Sequence, residues 1–217
     1  MRLPDCVDGG SLVIYPPMPK DGSPDSQNAA RMRDFVIGLK TGKMDRQRGS
    51  YADIAAAAVV KHGTGPLLDL FHGTVTLIPV PRSGLTKDHS LWPARLLCDA
   101  LNRKGIGVNT VRALSRTTAI RKSATSPDRP TVQEHVASLH AQASVDVEDV
   151  VVLVDDVVTR GSTILGCAWR LADVMPKVTI RAFAFARTLR DSPTMLVPAK
   201  WVITTDGSGR NGVLRIR

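Results

Sequence analysis

The sequence predicts an α/β fold in which helices flank a parallel sheet, and three consecutive segments carry that prediction. Residues 150–154 are a continuous run of apolar, mostly β-branched residues, which is typical of a strand buried on both faces. From Ile164 to Met175 apolar residues recur at helical spacing, and Pro176 ends the pattern. Residues 178–186 form a second apolar run. Strand, helix and strand make a βαβ unit, which indicates parallel strands joined by a right-handed crossover.

The first third of the chain contains one clear element and two weaker ones. Ser50 and Asp53 resemble a capping box in front of a run of alanines and valines, so we predict a helix over Tyr51–His62. Residues 11–15 have the composition of a short strand. Residues 32–40 fit no single pattern.

A strand and a helix are predicted next. Residues 75–81 are a short β-rich run that ends in a loop containing proline and glycine. We expect the helix to begin near Ser90, its predicted N-cap, and to end near Lys104, where Gly105 can terminate it. Residues 111–114 are short and apolar enough for another strand.

Residues 115–130 form a long segment with few core-forming residues and several basic ones. Loops of this length inside a compact chain are usually functional or disordered. Thr131 and Glu134 then form a second capping-box pattern, which predicts a short helix with apolar residues on its inner face.

Charge and composition limit the classes of partner. The net charge of +9 favours an anionic partner, either nucleic acid or a small polyphosphate. Aromatic residues make up only 4% of the chain, which weighs against a surface that stacks unpaired bases. No apolar run approaches the ~20 residues that span a bilayer, and the three cysteines form no CxxC pair. We therefore expect a cytoplasmic protein with no membrane partner.

The segment after the predicted central strand combines two acids with a turn suited to phosphate. Asp155 and Asp156 follow the apolar run directly, at the end of the strand where open α/β sheets bind ligands. Successive side chains of a strand alternate faces, so both carboxylates reach one ligand only if the strand frays there. The next turn opens a helix, and its hydroxyls and backbone amides can surround a phosphate. This turn, the phosphate segment, consists of Thr159, Arg160, Gly161, Ser162 and Thr163.

This motif resembles the motif that binds 5-phosphoribosyl pyrophosphate (PRPP) in type I phosphoribosyltransferases. The apolar run, two acids, two apolar residues and Thr-x-Gly-x-Thr all match, and Arg160 occupies a position where the family often has threonine. The resemblance implies the phosphoribosyltransferase-like fold, in a single domain over residues 1–217. It also implies that Asp155 and Asp156 bind the ribose hydroxyls and that the phosphate segment binds the 5′-phosphate.

Two further segments match the order of elements in this family. Pro81, Arg82, Ser83 and Gly84 resemble the family's pyrophosphate-binding loop, although taken alone they also fit an ordinary βα turn. Residues 115–130 fall where the family carries a catalytic lid, with a solvated surface loop as the alternative. The resemblance implies that basic side chains of the lid close over the pyrophosphate and exclude water. These side chains are Arg116, Arg121, Lys122 and Arg129, of which Arg116 and Lys122 are the candidates for catalysis.

The resemblance also implies a magnesium cofactor. Mg²⁺ would arrive with PRPP and be held largely by its phosphates and hydroxyls, beside Asp155 and Asp156. The five histidines have no metal-ligand spacing with cysteines or acids, so we expect them at surface or helix-end positions.

The acceptor is expected to bind under a small hood. The resemblance implies a core over about residues 50–190 and a hood formed by about 1–49 and 191–217. Arg187, at the end of a predicted strand, is the candidate contact with the acceptor, with an ordinary surface position as the alternative.

The implied function is transfer of the 5-phosphoribosyl group from PRPP to an unidentified nitrogenous acceptor, with release of pyrophosphate. Within the class, Gly38-Leu39-Lys40 and the valine-rich acidic strand are most similar to the ComF-type subgroup, but that subgroup's zinc-binding cysteine region is not matched here. Two alternatives stay open. One is a non-catalytic regulator that binds PRPP or a nucleotide, and the other is a nucleic-acid-associated protein on the same scaffold. A homo-oligomer is compatible with each of these functions.

Overall fold

The structure is a computed structural model that describes residues 4–15, 27–63, 65–85, 90–121, 129–188 and 196–216. A seven-stranded sheet, here called the main sheet, forms its centre. In chain order the strands are β1 (Cys6–Ile14), β2 (Met44–Asp45), β3 (Gly49–Ser50), β4 (Val75–Pro79), β5 (Asn109–Thr110), β6 (Leu114–Arg116), β7 (Leu139–Ala141), β8 (Val150–Val158), β9 (Thr179–Arg187), β10 (Leu196–Thr205) and β11 (Gly212–Ile216). The helices are α1 (Gln27–Lys40), α2 (Tyr51–His62), α3 (Gly65–Leu68), α4 (Pro93–Arg103), α5 (Val132–Ala137) and α6 (Ser162–Val174), and a 3₁₀ turn spans Asp69–Phe71.

Most strands of the main sheet are parallel. Five neighbours run in the same direction, in the spatial order β1, β9, β8, β4 and β5. β10 pairs antiparallel with β1, and β11 pairs antiparallel with β10 at the edge of the sheet. Two pairs of short strands, β2–β3 and β6–β7, form separate two-stranded sheets. The predicted α/β class with a central parallel sheet flanked by helices is therefore confirmed.

Helices cover both faces of the main sheet. One core lies under α1, α2 and α4 and contains Val152 and Val154 of the central strand. The opposite core lies under α5 and α6 and contains Val151 and Leu153. Alternate side chains of β8 thus enter opposite cores, as its uninterrupted apolar run requires. None of the described helices is long and apolar enough to cross a membrane.

Two helices begin where the sequence shows capping patterns. α2 spans the predicted residues, and the Ser50 hydroxyl accepts a hydrogen bond from the N–H of Asp53 at 3.1 Å. At the start of α5, Thr131 and Glu134 form both hydrogen bonds of the predicted box. Local side-chain chemistry therefore determines where these helices start.

α4 starts later than predicted. Its N-cap is Trp92, whose indole N–H donates to the carbonyl of Val80 at 2.8 Å. Pro93 then occupies the first turn, where its missing N–H is not needed. The prediction of Ser90 as the N-cap was wrong, because a contact with the end of β4 fixes the start of this helix.

Two strand predictions need correction. Residues 111–114 do not form one strand. The pairing with β4 ends with β5 at Thr110, and the next strand, β6, starts at Leu114 and pairs with β7 in a separate sheet. β8 does not fray at its two acids but continues through them to Val158, paired with β9. The site is therefore built on the end of a strand rather than on a loop.

The chain ends contribute three strands to the main sheet. β1 is longer than the predicted strand at residues 11–15, and β10 and β11 were not predicted. Because β1 is hydrogen-bonded to β9 and to β10, the sheet extends beyond the predicted core limits of about residues 50 and 190 in both directions.

Candidate functional site

The two predicted binding segments follow neighbouring strands at a change in chain direction. From β4 the chain crosses to β5 on one side, whereas from β8 it crosses to β9 on the other. Open α/β sheets bind ligands in the crevice at the carboxyl ends of such a pair. The N–H of Val80 donates to the carbonyl of Val154 at 2.9 Å, so the ends of β4 and β8 are directly adjacent.

Asp155 and Asp156, here called the acidic pair, extend past the end of β4. Val154 pairs with Pro79, the last residue of β4, so β8 continues beyond that neighbour with β9 still beside it. Oδ1 of Asp155 accepts from the N–H of Asp156, and Oδ1 of Asp156 accepts from the N–H of Val157, both at 2.8 Å. β8 stays paired with β9 here, so the two side chains start on opposite faces of the strand. Their carboxyl groups still meet, because a hydrogen bond between them contributes to the raised pKa of Asp155. Both carboxyl groups therefore lie together at the end of β8 without the fraying that was expected.

The surroundings of Asp155 disfavour its charge. Burial raises the pKa of Asp155 well above its ordinary range, and the neighbouring carboxyl of Asp156 raises it further. Lys40, at the end of α1, acts on this pKa in the opposite direction. A ligand that brings hydroxyl donors or a cation to this carboxyl would favour its charged form.

The phosphate segment lines a cavity of about 80 Å³ at the start of α6. Gly161 is the N-cap of that helix and has a φ of 87°, in the left-handed region that glycine adopts without strain. The N-terminus of a 13-residue helix presents backbone N–H groups and a partial positive charge, both of which favour an anion. All five residues of the segment line the cavity, together with Asp155, Arg129 and Asn211.

The hairpin formed by β10 and β11 packs against the phosphate segment, a contact that the sequence did not predict. The N–H of Gly212 donates to Oγ of Ser162 at 2.9 Å. A Cβ at Gly212 would lie 2.6 Å from the backbone nitrogen of Ser162 and 2.8 Å from the carbonyl carbon of Gly161. Only glycine allows this approach of one backbone to another.

The loop after β4 is joined to the first part of the predicted lid. Pro81 is buried, Arg82 is exposed, and Ser83 and Gly84 are half-buried. The carbonyl of Ser83 accepts from the N–H of Ile120 at 2.8 Å. Among the residues that the structure describes, none has an atom within 4 Å of a Cβ at Gly84.

Arg116 lies in the interior and not on an exposed lid. Its side chain belongs to β6 and is only 6% exposed. Nε donates to the carbonyl of Arg82 at 3.0 Å, and Nη2 lies 3.0 Å from Nδ1 of His135. Burial also lowers the pKa of Arg116. A cation held in this way cannot close over a ligand without leaving the core, so the predicted lid role is corrected to support of the loop after β4.

The other basic residues of the predicted lid have different surroundings. Lys122, the second catalytic candidate, lies outside the described residues. A nitrogen of Arg121 lies 2.7 Å from a carboxylate oxygen of Glu134 in an exposed pair, which contributes little to stability. Arg129 lines the cavity beside the phosphate segment. Of the described basic residues of the lid, Arg129 is therefore the one that lines the cavity at the predicted 5′-phosphate site.

Arg187 is buried between β1 and β10 at the end of β9. It is 3% exposed, and its Nη1 donates to Oγ of Ser11 at 2.9 Å and to the carbonyl of Val197 at 3.1 Å. Burial lowers the pKa of Arg187. The guanidinium joins two strands of the main sheet, which is a structural position and neither a surface one nor an open contact for an acceptor.

The acidic pair fits a metal ion that arrives with its own ligands. Among the residues that the structure describes, no group of three or more His, Cys, Asp or Glu side chains is arranged to hold a metal. Mg²⁺ commonly binds one or two carboxylates and takes its remaining ligands from substrate phosphates and water. Asp155 and Asp156 can supply that share.

The sequence analysis missed His135, and it also missed Asn211 in the cavity lining. His135 lies in the last turn of α5, which agrees with the expected helix-end position, but it is only 2% exposed and lies between Arg116 and Thr163. One signal was available, because His135 falls three residues after Val132 and hence on the same face of a short helix.

No family model matches the chain, and no curated protein matches it. The geometry of the site must therefore carry any functional assignment.

Proposed function

We propose that the protein is a phosphoribosyltransferase, which binds PRPP with Mg²⁺ and transfers the 5-phosphoribosyl group to a nitrogenous acceptor. The observation that carries the proposal is that Asp155 and the whole phosphate segment line the same cavity. A phosphorylated sugar requires this combination, because its hydroxyls donate to a carboxylate while its phosphate accepts from amides and hydroxyls.

The three parts of PRPP match three neighbouring features of the crevice. The 5′-phosphate meets the N-terminus of α6, the hydroxyls of the phosphate segment and Arg129. The ribose hydroxyls donate to Asp155 and Asp156. The pyrophosphate then reaches the loop after β4, since this loop starts beside the acidic strand.

The proposed reaction exchanges one bond at the anomeric carbon. The bond from this carbon to the pyrophosphate oxygen breaks, and its electron pair leaves with the pyrophosphate. The acceptor nitrogen provides the electron pair of the new C–N bond and gives up its proton to water. Positive charge develops on the sugar, as in other glycosyl transfers, and the acidic pair lies where it stabilises that charge. Mg²⁺, when bound, would neutralise charge on the departing pyrophosphate.

Calorimetric titration with PRPP and Mg²⁺ tests the assignment of the acidic pair. Charge-assisted hydrogen bonds contribute about 1.5–3 kcal/mol each. We therefore expect Asp155→Asn/Asp156→Asn to weaken binding by about two to four powers of ten. The matched control is Asp146→Asn/Asp149→Asn, which removes the same charge from exposed residues just before β8 and should bind normally. Wild-type affinity in the Asp155/Asp156 variant would contradict the assignment.

A regulator that binds PRPP or a nucleotide without turnover is the second candidate, and the burial of Arg116 favours it. A lid without this cation is less able to neutralise the leaving group. Pyrophosphate release, measured with a panel of purine, pyrimidine and amine acceptors, separates the two functions. Release with any acceptor supports the enzyme, whereas saturable PRPP binding without release across the panel supports the regulator.

A further inference from the structure

A buried row of side chains connects the loop after β4 with the phosphate segment. Arg116 donates through Nε to the carbonyl of Arg82 at 3.0 Å. On its other side, Nη2 lies 3.0 Å from Nδ1 of His135, and Nε2 of that ring lies 3.3 Å from Oγ1 of Thr163. The row thus begins at one predicted binding segment and ends at the other.

The chemistry of arginine determines the direction of these hydrogen bonds. A guanidinium only donates, so Nδ1 of His135 must accept and cannot carry a proton. The ring is then neutral with its proton on Nε2, which donates to the hydroxyl of Thr163. A threonine hydroxyl that accepts from the ring has its own proton available for another acceptor. Thr163 lines the cavity, so that proton is available to a ligand oxygen.

Packing fixes the ring in this orientation. His135 and Arg116 are 2% and 6% exposed. Ser138 accepts a hydrogen bond from Nη1 of Arg116 and donates to the carbonyl of His135 at 2.8 Å. A Cβ at Gly166 of α6 would lie 2.7 Å from Cβ of His135, so the two helices are in close contact at this point.

The charges around the ring favour the same neutral form. Burial and the adjacent Arg116 together lower the pKa of His135 to about 4, and Glu134 opposes them by less. The ring is therefore neutral at physiological pH, as its hydrogen bonds require.

We propose that Arg116 and His135 are positioning residues, which hold the Thr163 hydroxyl as a hydrogen-bond donor to the ligand's phosphate and join the two binding segments. This inference rests on the proposed function for the identity of the ligand. Neither residue touches the ligand. Arg116 fixes the proton position of the ring, and the ring orients the hydroxyl.

The first test needs no ligand. Nitrogen NMR of histidine-labelled protein at pH 7 reports which ring nitrogen carries the proton. We expect His135 to be neutral and protonated on Nε2, and Thr163→Val to shift its Nε2 resonance selectively. His140→Gln assigns the exposed ring on β7 and serves as a control. A proton on Nδ1, or a charged ring, would overturn the inference.

The second test measures coupling with ribose 5-phosphate, which carries the proposed phosphate group without pyrophosphate. An asparagine at position 135 can still accept from Arg116 but does not reach Thr163, whereas a glutamine places an N–H near the original Nε2. We expect His135→Asn and Thr163→Val each to weaken binding about tenfold, and His135→Gln to weaken it less. The double variant His135→Asn/Thr163→Val should bind no more weakly than Thr163→Val alone.

The outcomes separate the two proposals. If the two single substitutions weaken ribose 5-phosphate binding independently, their effects multiply to about a hundredfold in the double variant, and the positioning role is overturned. Binding of ribose 5-phosphate by the wild type would in that case still support the site. Absence of ribose 5-phosphate binding by the folded wild type would overturn both the proposed site and its positioning residues. Thermal unfolding of each variant shows that it is folded before its affinity is compared.

Discussion

Asp155 is a carboxyl group placed where its own charge is unfavourable. Burial and the adjacent Asp156 raise its pKa, although Lys40 opposes them. An acid that is destabilising in the free protein and needed by the ligand is expected at a binding site, because the ligand supplies the missing partners. Stability and binding should therefore respond in opposite directions when this charge is removed.

Asp155→Asn should stabilise the free protein. The amide oxygen can still accept from the N–H of Asp156, while the buried charge is lost. Because the pKa of Asp155 is raised in the native state, the wild type loses unfolding free energy only above the ordinary aspartate pKa of about 3.9. The loss grows with pH until Asp155 also ionises in the native state. We expect a gain in unfolding free energy of about 1 kcal/mol at pH 8, with little or no gain below pH 4. Urea denaturation at both pH values measures it, and a loss of stability at pH 8 would contradict this view of Asp155.

His135 should make stability depend on acid pH. Its native pKa of about 4 lies below the ordinary value of 6.5 for an exposed ring, so the unfolded chain binds the proton more readily between these values. Stability is then fully present above pH 6.5 and is lost as the pH falls towards 4. The contribution is at most about 3 kcal/mol.

Denaturation of wild type and His135→Gln from pH 7 to pH 4 isolates this effect. The wild type should lose stability relative to the variant over that range, whereas His140→Gln should follow the wild type. Parallel curves for wild type and His135→Gln would show that the ring is not buried in its neutral form.

Residue-level chemistry was predictable where it depended on neighbours in sequence. The acidic pair, Gly161 and its flanking hydroxyl residues form one continuous motif, and the structure brings Asp155 and this segment to one cavity. The burial of Arg116 and His135 was not predictable in this way. Each is buried by partners on other elements. Arg116 lies in a polar segment that gives no local sign of burial, and the local sign for His135 is only its spacing from Val132 on α5.

At the scale of elements, the β10–β11 hairpin supports the phosphate segment. Gly212→Ala would place a methyl group against the backbone of Ser162 and Gly161, which cannot move like a flexible side chain. We expect a loss of about 1–3 kcal/mol in unfolding free energy, with weaker phosphate binding as the segment shifts. Gly207→Ala, in the same hairpin, meets no atom of the described part of the chain within 4 Å and is the matched control.

Urea denaturation and ribose 5-phosphate titration of both glycine variants measure these effects. If Gly212→Ala were as stable as Gly207→Ala and bound ribose 5-phosphate equally well, the result would contradict close packing of the hairpin against the phosphate segment.

The elements that sequence analysis found are those with local signals. α2 begins at the capping residue Ser50, α5 begins at a full capping box, and β8 is an apolar run. β10 was missed because Pro198 and Lys200 interrupt its apolar pattern. Its place in the sheet depends on Trp201, whose ring lies over Gly9 of β1. A Cβ at Gly9 would lie 2.1 Å from a carbon atom of that ring. No local pattern can show a match between residues so distant in sequence.

At the scale of the whole molecule, the net charge of +9 and the site formed by the phosphate segment, the acidic pair and the loop after β4 indicate that an anionic ligand should stabilise the native state. A ligand at one hundred times its dissociation constant adds about 2.7 kcal/mol, which corresponds to a rise in melting temperature of roughly 5–10 °C for a chain of this size. We expect PRPP with Mg²⁺ to produce this rise and Mg²⁺ alone to produce none, because the acidic pair supplies only part of a metal's ligands. Differential scanning fluorimetry measures both. An equal rise with Mg²⁺ alone would indicate a metal site independent of PRPP.

A crystal structure of the protein with PRPP and Mg²⁺ tests the central claim most directly. The proposal predicts the 5′-phosphate at the N-terminus of α6 beside Thr163, the ribose hydroxyls at Asp155 and Asp156, and the pyrophosphate at the loop after β4. A PRPP molecule bound elsewhere, or bound with its pyrophosphate at the start of α6, would contradict it.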